Sequence, residues 1–167
     1  MDGGLKRRAR LALVPNLPPA PARSEPRVQF CGHCGRRPAT PDHSSRVCPS
    51  CGLGLLLEAR ADAAPGPGDA FLVLDSSLSV CAVSDTAERL LATVETDAVN
   101  RHVTQLIVPA DAEAQGPSNL AVAITWAARG DDATRTVVVR PANTFGVRMS
   151  ARITSCGPPS AALVVFT

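Results

Sequence analysis

The sequence predicts an α+β protein in two parts: a small ribbon closed on a metal by four cysteines, then an antiparallel sheet with helices gathered on one side. Three observations predict it. Cys31-Gly32-His33-Cys34-Gly35 and Cys48-Pro49-Ser50-Cys51-Gly52 form two Cys-x-x-Cys hooks with thirteen residues between Cys34 and Cys48. Ala61-Asp62-Ala63-Ala64-Pro65-Gly66-Pro67-Gly68 then breaks any regular structure. From Asp69 on, the apolar runs read strand, strand, several short helices, one longer helix and three strands, an order that segregates helices from an antiparallel sheet.

Taken in order, residues 1–27 carry Pro15, Pro18, Pro19, Pro21 and Pro26 among alanines and arginines and form a basic tail that cannot bury a core. Lys6 to Arg10 is a charge run without aromatics, read first as a solvated tail and second as a contact for nucleic acid or an acidic partner. Residues 28–58 form the ribbon. Two cysteines three positions apart on a tight turn place both thiolates on one side of the backbone, and the second hook completes the tetrahedron that zinc accepts. Gly35 and Gly52 supply the positive φ such turns use and let amides point at the sulfurs. Cys31, Cys34, Cys48 and Cys51 are therefore the predicted ligands of a structural Zn²⁺, with iron in a rubredoxin-like site as the rival occupant. His33 and His43 read as surface histidines, because four sulfurs already close the site. Arg36, Arg37 and Arg46 lie between the hooks, read first as offsetting the negative charge of the thiolate cluster and second as gripping phosphate. Leu53 to Glu58 reads as a strand or the start of a short helix, and residues 59–68 as a linker.

Residues 69–167 are the second part. Ala70 to Leu74 and Val80 to Val83 form a hairpin around the turn Asp75 to Ser79. Ser84 or Asp85 caps a helix with Ala87, Leu90 and Leu91 at helical spacing, and Glu88 stands where it completes a capping box with Asp85. Short helical pieces follow over Thr96 to Asn100 and His102 to Val108. A longer helix runs from Asn119 to Arg129 and stops at Gly130, with Leu120, Ile124 and Ala127 along one side. Thr134 to Arg140, Phe145 to Ser155 and Ala161 to Thr167 read as strands.

Phe71-Leu72-Val73-Leu74-Asp75, the run through Val80 to Val83 into Ser84-Asp85-Thr86-Ala87-Glu88-Arg89-Leu90-Leu91, and Val103-Thr104-Gln105-Leu106-Ile107 before the long helix resemble a PAS domain. The pairing with a four-cysteine ribbon resembles a group of small bacterial proteins. The resemblance covers residues 69–167. It implies a five-stranded antiparallel sheet and a cavity between sheet and helices, used to sense a small ligand or to pair with another protein. PAS domains often have a glycine where this chain has Ala92, another near Asn100, and an asparagine near Ser84 or Asp85. Flavin is not supported, since no Asn-Cys-Arg-Phe-Leu stretch is present, and haem is not supported, since the long helix has no histidine. Cys81 and Cys156 read as small apolar strand residues, His102 as a polar helix-start residue, and Trp126 either as a pocket wall or as core or interface filler.

The net charge of +2 divides unevenly: residues 1–60 hold ten Lys/Arg against four Asp/Glu, and residues 61–167 seven against eleven. Ends of opposite sign point to different partners. Apolar runs are too short to cross a bilayer, and Pro15 and Pro18 stop the apolar stretch after Lys6 to Arg10 before it reaches signal-peptide length, so the expectation is a cytoplasmic protein. No hydrolase, phosphate-loop or metalloprotease pattern appears, and a four-thiolate zinc has no open position for water, so no enzyme is expected. The expected function is a signalling module: a PAS-like sensor or protein-interaction domain, carrying a zinc ribbon for docking and acting through a protein partner or self-association. The alternative is a transcription regulator whose ribbon and basic tail bind nucleic acid.

Overall fold

The computed structural model describes residues 26–40, 45–110 and 119–167. The expectations for Lys6 to Arg10, His43 and most of the 1–27 tail lie outside these residues. The elements run β1 Arg27–Cys31, β2 Leu56–Arg60, β3 Phe71–Leu74, β4 Val80–Val83, α1 Asp85–Leu91, α2 Glu95–Ala98, a 3-10 turn Val103–Gln105, β5 Ile107–Pro109, α3 Asn119–Ala128, β6 Arg135–Pro141, β7 Met149–Gly157 and β8 Ala161–Phe166. The fold is α+β, with the element order that the PAS resemblance implies for residues 69–167.

All strand pairs are antiparallel, and the main path of the sheet is β1-β2-β7-β8-β3-β4, with β6 on β7 and β5 on β6. Strand β7 is long enough to hold β6 along Met149 to Ile153 and β2 at Cys156 and Gly157. The five strands expected within residues 69–167 are all there. Three more join them: β1, β2 and β5. Ile107–Pro109 is a strand rather than the expected helical piece; it extends because β-branched Ile107 and Val108 precede Pro109 and pair with Pro141 and Arg140. Strand β7 begins at Met149 rather than Phe145, which is 85 % exposed and lies against the Arg140 guanidinium at 5.0 Å.

Each face of the sheet has its own core. On one, Leu72, Leu74, Val80, Val83, Ile153 and Val164 meet Leu91 of α1, Val103, Ile107, and Leu120 and Ile124 of α3. On the other, Phe71, Val73, Cys156, Leu163 and Val165 meet Phe30, Leu57, Ala59 and Ala64. The stretch expected as a linker is thus engaged: Ala59 lies in β2, and Ala63 and Ala64 are buried with their amides on the Arg60 carbonyl. The cause is visible in β3 and β8, where every residue is buried. A strand apolar on both sides needs cover on both sides. The helices cover one, and the ribbon covers the other.

Ser84 is the N-cap of α1, and its hydroxyl accepts from the Ala87 and Phe71 amides while donating to the Asp69 carbonyl. The capping box with Asp85 does not form, since Ser84 takes the cap and Glu88 instead accepts from the Glu95 amide at 2.5 Å. Helix α1 closes on Ala92 at φ 50°, ψ 48°, and Asn100 has φ 67°. Ala92, where PAS domains often carry glycine, and Asn100, near a second such position, are thus both left-handed. Asparagine tolerates this; alanine is strained by about 1–2 kcal/mol. Ala92→Gly is therefore expected to stabilise the chain by about 1 kcal/mol after the added freedom of the unfolded chain is counted. Thermal unfolding checks this, with a midpoint rise of about 3 °C expected.

Candidate metal centre

Each hook folds the same way. The Gly35 amide donates to the Cys31 carbonyl at 3.0 Å, and the Gly52 amide to the Cys48 carbonyl at 2.9 Å. Both glycines take the positive φ expected of them, 68° and 70°. A short bridge between Val47 and Leu55 and the Cys48 amide on the Gly54 carbonyl close the second hook, and the Gly32 amide on the Leu55 carbonyl brings the hooks together.

The structure places the sulfurs of Cys31, Cys34, Cys48 and Cys51 within 4.8 Å of one another. Cys31 and Cys51 are 3.6 Å apart, and Cys34 and Cys48 3.9 Å. A regular tetrahedron with metal–sulfur bonds of about 2.3 Å has edges of about 3.8 Å, whereas a disulfide requires about 2.05 Å. The spacing therefore suits four sulfurs around one ion. Amides are aimed at the sulfurs as well: those of His33 and Cys34 donate to the Cys31 sulfur at 3.4 Å each, and the backbone amides of Arg36 beside Cys34 and of Gly54 and Leu53 beside Cys51 favour the thiolate forms. Such donors stabilise thiolate charge. Burial pushes the Cys31 and Cys34 thiols up. At Cys51 burial also acts upward, but the two amides and neighbouring thiols outweigh it and bring that group down to about 6. Four soft sulfurs in this arrangement can hold a metal such as zinc.

Two residues at the centre are not evident from the sequence. Gly54 is packed so tightly that a Cβ would stand 2.4 Å from the Cys31 sulfur and 2.8 Å from both the His33 amide nitrogen and Cβ. His33 is not a surface histidine; its side chain is 18 % exposed and its Nδ1 lies 3.6 Å from Glu95 Oε2 on α2. The Gly52-Leu53-Gly54 spacing is the one local signal for the first. Nothing local signals the second. Arg37 and Arg46 donate to the Ala61 and Pro158 carbonyls, fastening the loop to the rest of the chain.

The remaining candidate residues fall elsewhere. Cys156 is buried in the core shared with the ribbon, where burial pushes its thiol up to about 12, so it stays a neutral apolar group. Cys81, by contrast, is exposed on β4. His102 caps the 3-10 turn through Nδ1. Trp126 is 51 % exposed outside both cores, with the Arg135 guanidinium 4.8 Å above its ring. A cavity of about 280 Å³ lies where β1, β2 and the end of β7 meet, lined by Arg27, Glu58, Asp132 and Ser155 among others. Its charges are largely engaged with each other: Arg27 pairs with Asp132, which also accepts from Ser155. Among the described residues no helix is long and apolar enough to cross a membrane.

No protein-family model matches the chain, and no curated protein matches it. Among solved structures, it is similar to the PAS domain of nitrogen regulation protein NR(II) from Vibrio parahaemolyticus, at 17 % identity and TM-score 0.44, over 60 % of this chain and 88 % of that one. It is also similar to the PAS domain of an HTR-like protein from Haloarcula marismortui, at 17 % identity and TM-score 0.44, over 59 % of this chain and 84 % of that one.

Proposed function

We propose that the chain is a non-enzymatic signalling module in which one structural Zn²⁺, held by Cys31, Cys34, Cys48 and Cys51, fixes the ribbon against a PAS-like sensor or partner-binding unit. The observation that carries this reading is the gathering of four sulfurs within 4.8 Å of one another, with two amides donating to the Cys31 sulfur. Four protein ligands leave a bound zinc no open position for water or substrate, which supports a structural role over a hydrolytic one. The resemblance of residues 69–167 to a PAS domain supports recognition as their task. Output then passes through a protein partner or a second copy.

Native mass spectrometry of the full chain, purified from its own host, tests this. The expected result is one Zn²⁺ per chain together with an assembly mass above the monomer or a retained partner. A metal-free chain, or one carrying iron, overturns the zinc assignment. A salt-sensitive complex with mixed-sequence DNA or RNA at micromolar protein would replace protein partnering with nucleic-acid binding.

A further inference from the structure

One residue, His33, ties the sulfur cage to both short helices. Its amide donates to the Cys31 sulfur at 3.4 Å. Its carbonyl accepts from the amide of Asp85, the first residue of α1, at 3.1 Å. Its ring lies 3.6 Å from the Glu95 carboxylate at the start of α2. Glu95 is in turn held in place by the corner it belongs to: its amide donates to Glu88 of α1, and its other carboxylate oxygen accepts from the Val83 amide at the end of β4, 3.4 Å away. The neighbouring contacts run the same way. A Cβ on Gly32 would stand 3.7 Å from Ala82 Cβ of β4, and one on Gly54 would meet the Cys31 sulfur and His33 together. The hook that carries two of the four sulfurs therefore also forms the floor under residues 82–98.

From this juxtaposition we infer that metal occupancy controls the order of the β4–α1–α2 corner, so that loading and stripping the cage switches this part of the recognition unit between a fixed and a loosened state. The inference rests on the metal reading above and adds a regulatory consequence to it. The physical route is short. Without the ion, four crowded thiols lose what holds them together, the hook relaxes, and the His33 amide, carbonyl and ring leave their partners as one. Helix α1 has seven residues and α2 four, lengths that do not persist in water without tertiary support. Helix α3 and β6 make none of these contacts; they share the helix-side core with the corner but are held independently by β7 and β8, on which α3 packs and to which β6 pairs through β7, so they serve as the internal reference. Coupling of this kind is reciprocal: weakening the corner must weaken metal binding by the same factor.

The experiment is hydrogen–deuterium exchange on the full chain, zinc-loaded against chelator-stripped, with metal content measured on the same samples. The expected result is exchange about tenfold faster or more in residues 82–98 as well as in 31–56 after stripping, with 120–139 unchanged. Faster exchange confined to 31–56 overturns the switch while leaving the zinc assignment intact. Uniform acceleration over the whole chain overturns it as well, because the ion would then sustain the entire fold rather than this corner. A chain that takes up no zinc at all overturns both readings. The reciprocal arm uses Ser84→Ala, which removes the cap of α1 but touches no sulfur. Competition against a chromophoric chelator should show zinc held at least about fivefold more weakly, and an affinity within about twofold of wild type overturns the inference.

Discussion

Gly54→Ala is expected to empty the metal centre. The added methyl would begin 2.4 Å from the Cys31 sulfur and 2.8 Å from the His33 amide nitrogen, well inside van der Waals contact. Neither neighbour can swing away, because one is a fully buried sulfur of the cysteine cluster and the other is backbone. Zinc content after gel filtration should fall from about one per chain to a small fraction of that. Structural zinc contributes on the order of 10 kcal/mol to zinc-finger-sized units, so the segment around the hooks should lose several kcal/mol of local stability with it. Gly52→Ala provides the control. Gly52 has φ 70° with nothing within 4 Å of where a methyl would stand, so the cost is conformational strain of about 1–2 kcal/mol and the zinc should stay. Equal zinc retention in the two variants would show that the Gly54 contact does not limit the cage.

The contrast between those glycines marks how far sequence alone reaches. The hooks, the gathering of their four cysteines and the left-handed glycines are legible because spacing and turn chemistry are local properties. So are the strands around Phe71 and Val164, each a short apolar run, and the long helix, whose periodicity lies within one element. Gly54 and His33 are not legible, since their roles depend on a sulfur more than twenty residues away for Gly54 and on Asp85 and Glu95 for His33. The extent of the linker is hidden for a different reason. The Pro/Gly composition of 61–68 does mark an irregular stretch, but whether such a stretch packs is decided by what the neighbouring sheet leaves uncovered. That information lies in the runs Phe71 to Leu74 and Ala161 to Phe166, which are apolar without alternation and so require cover on both faces.

Phe30→Ala should destabilise residues far from the ribbon. Phe30 is fully buried and meets Phe71 of β3 edge to face, with ring centroids 5.9 Å apart and planes at 83°. Removing a buried phenylalanine costs about 3–5 kcal/mol, part of it the lost aromatic pair. The ring belongs to a core built equally from β1, β2 and the central strands β3 and β8, while β2 is hydrogen-bonded to β7 at Cys156 and Gly157. The loss is therefore shared by the whole sheet. Trp126, the single tryptophan, sits on α3 at the opposite face, where its environment includes Arg135 and not the ribbon. Its fluorescence should follow the same transition as far-UV circular dichroism, with the midpoint lowered by about 10 °C. If ribbon and sheet were separate folding units, Trp126 would keep its wild-type midpoint while amide protection was lost only in β1 and β2. A sheet that continues through β2 into β7, with one side chain filling the core beneath both, leaves no boundary between β1–β2 and the other strands at which that separation could occur; the loop of hooks between β1 and β2 lies outside that shared core.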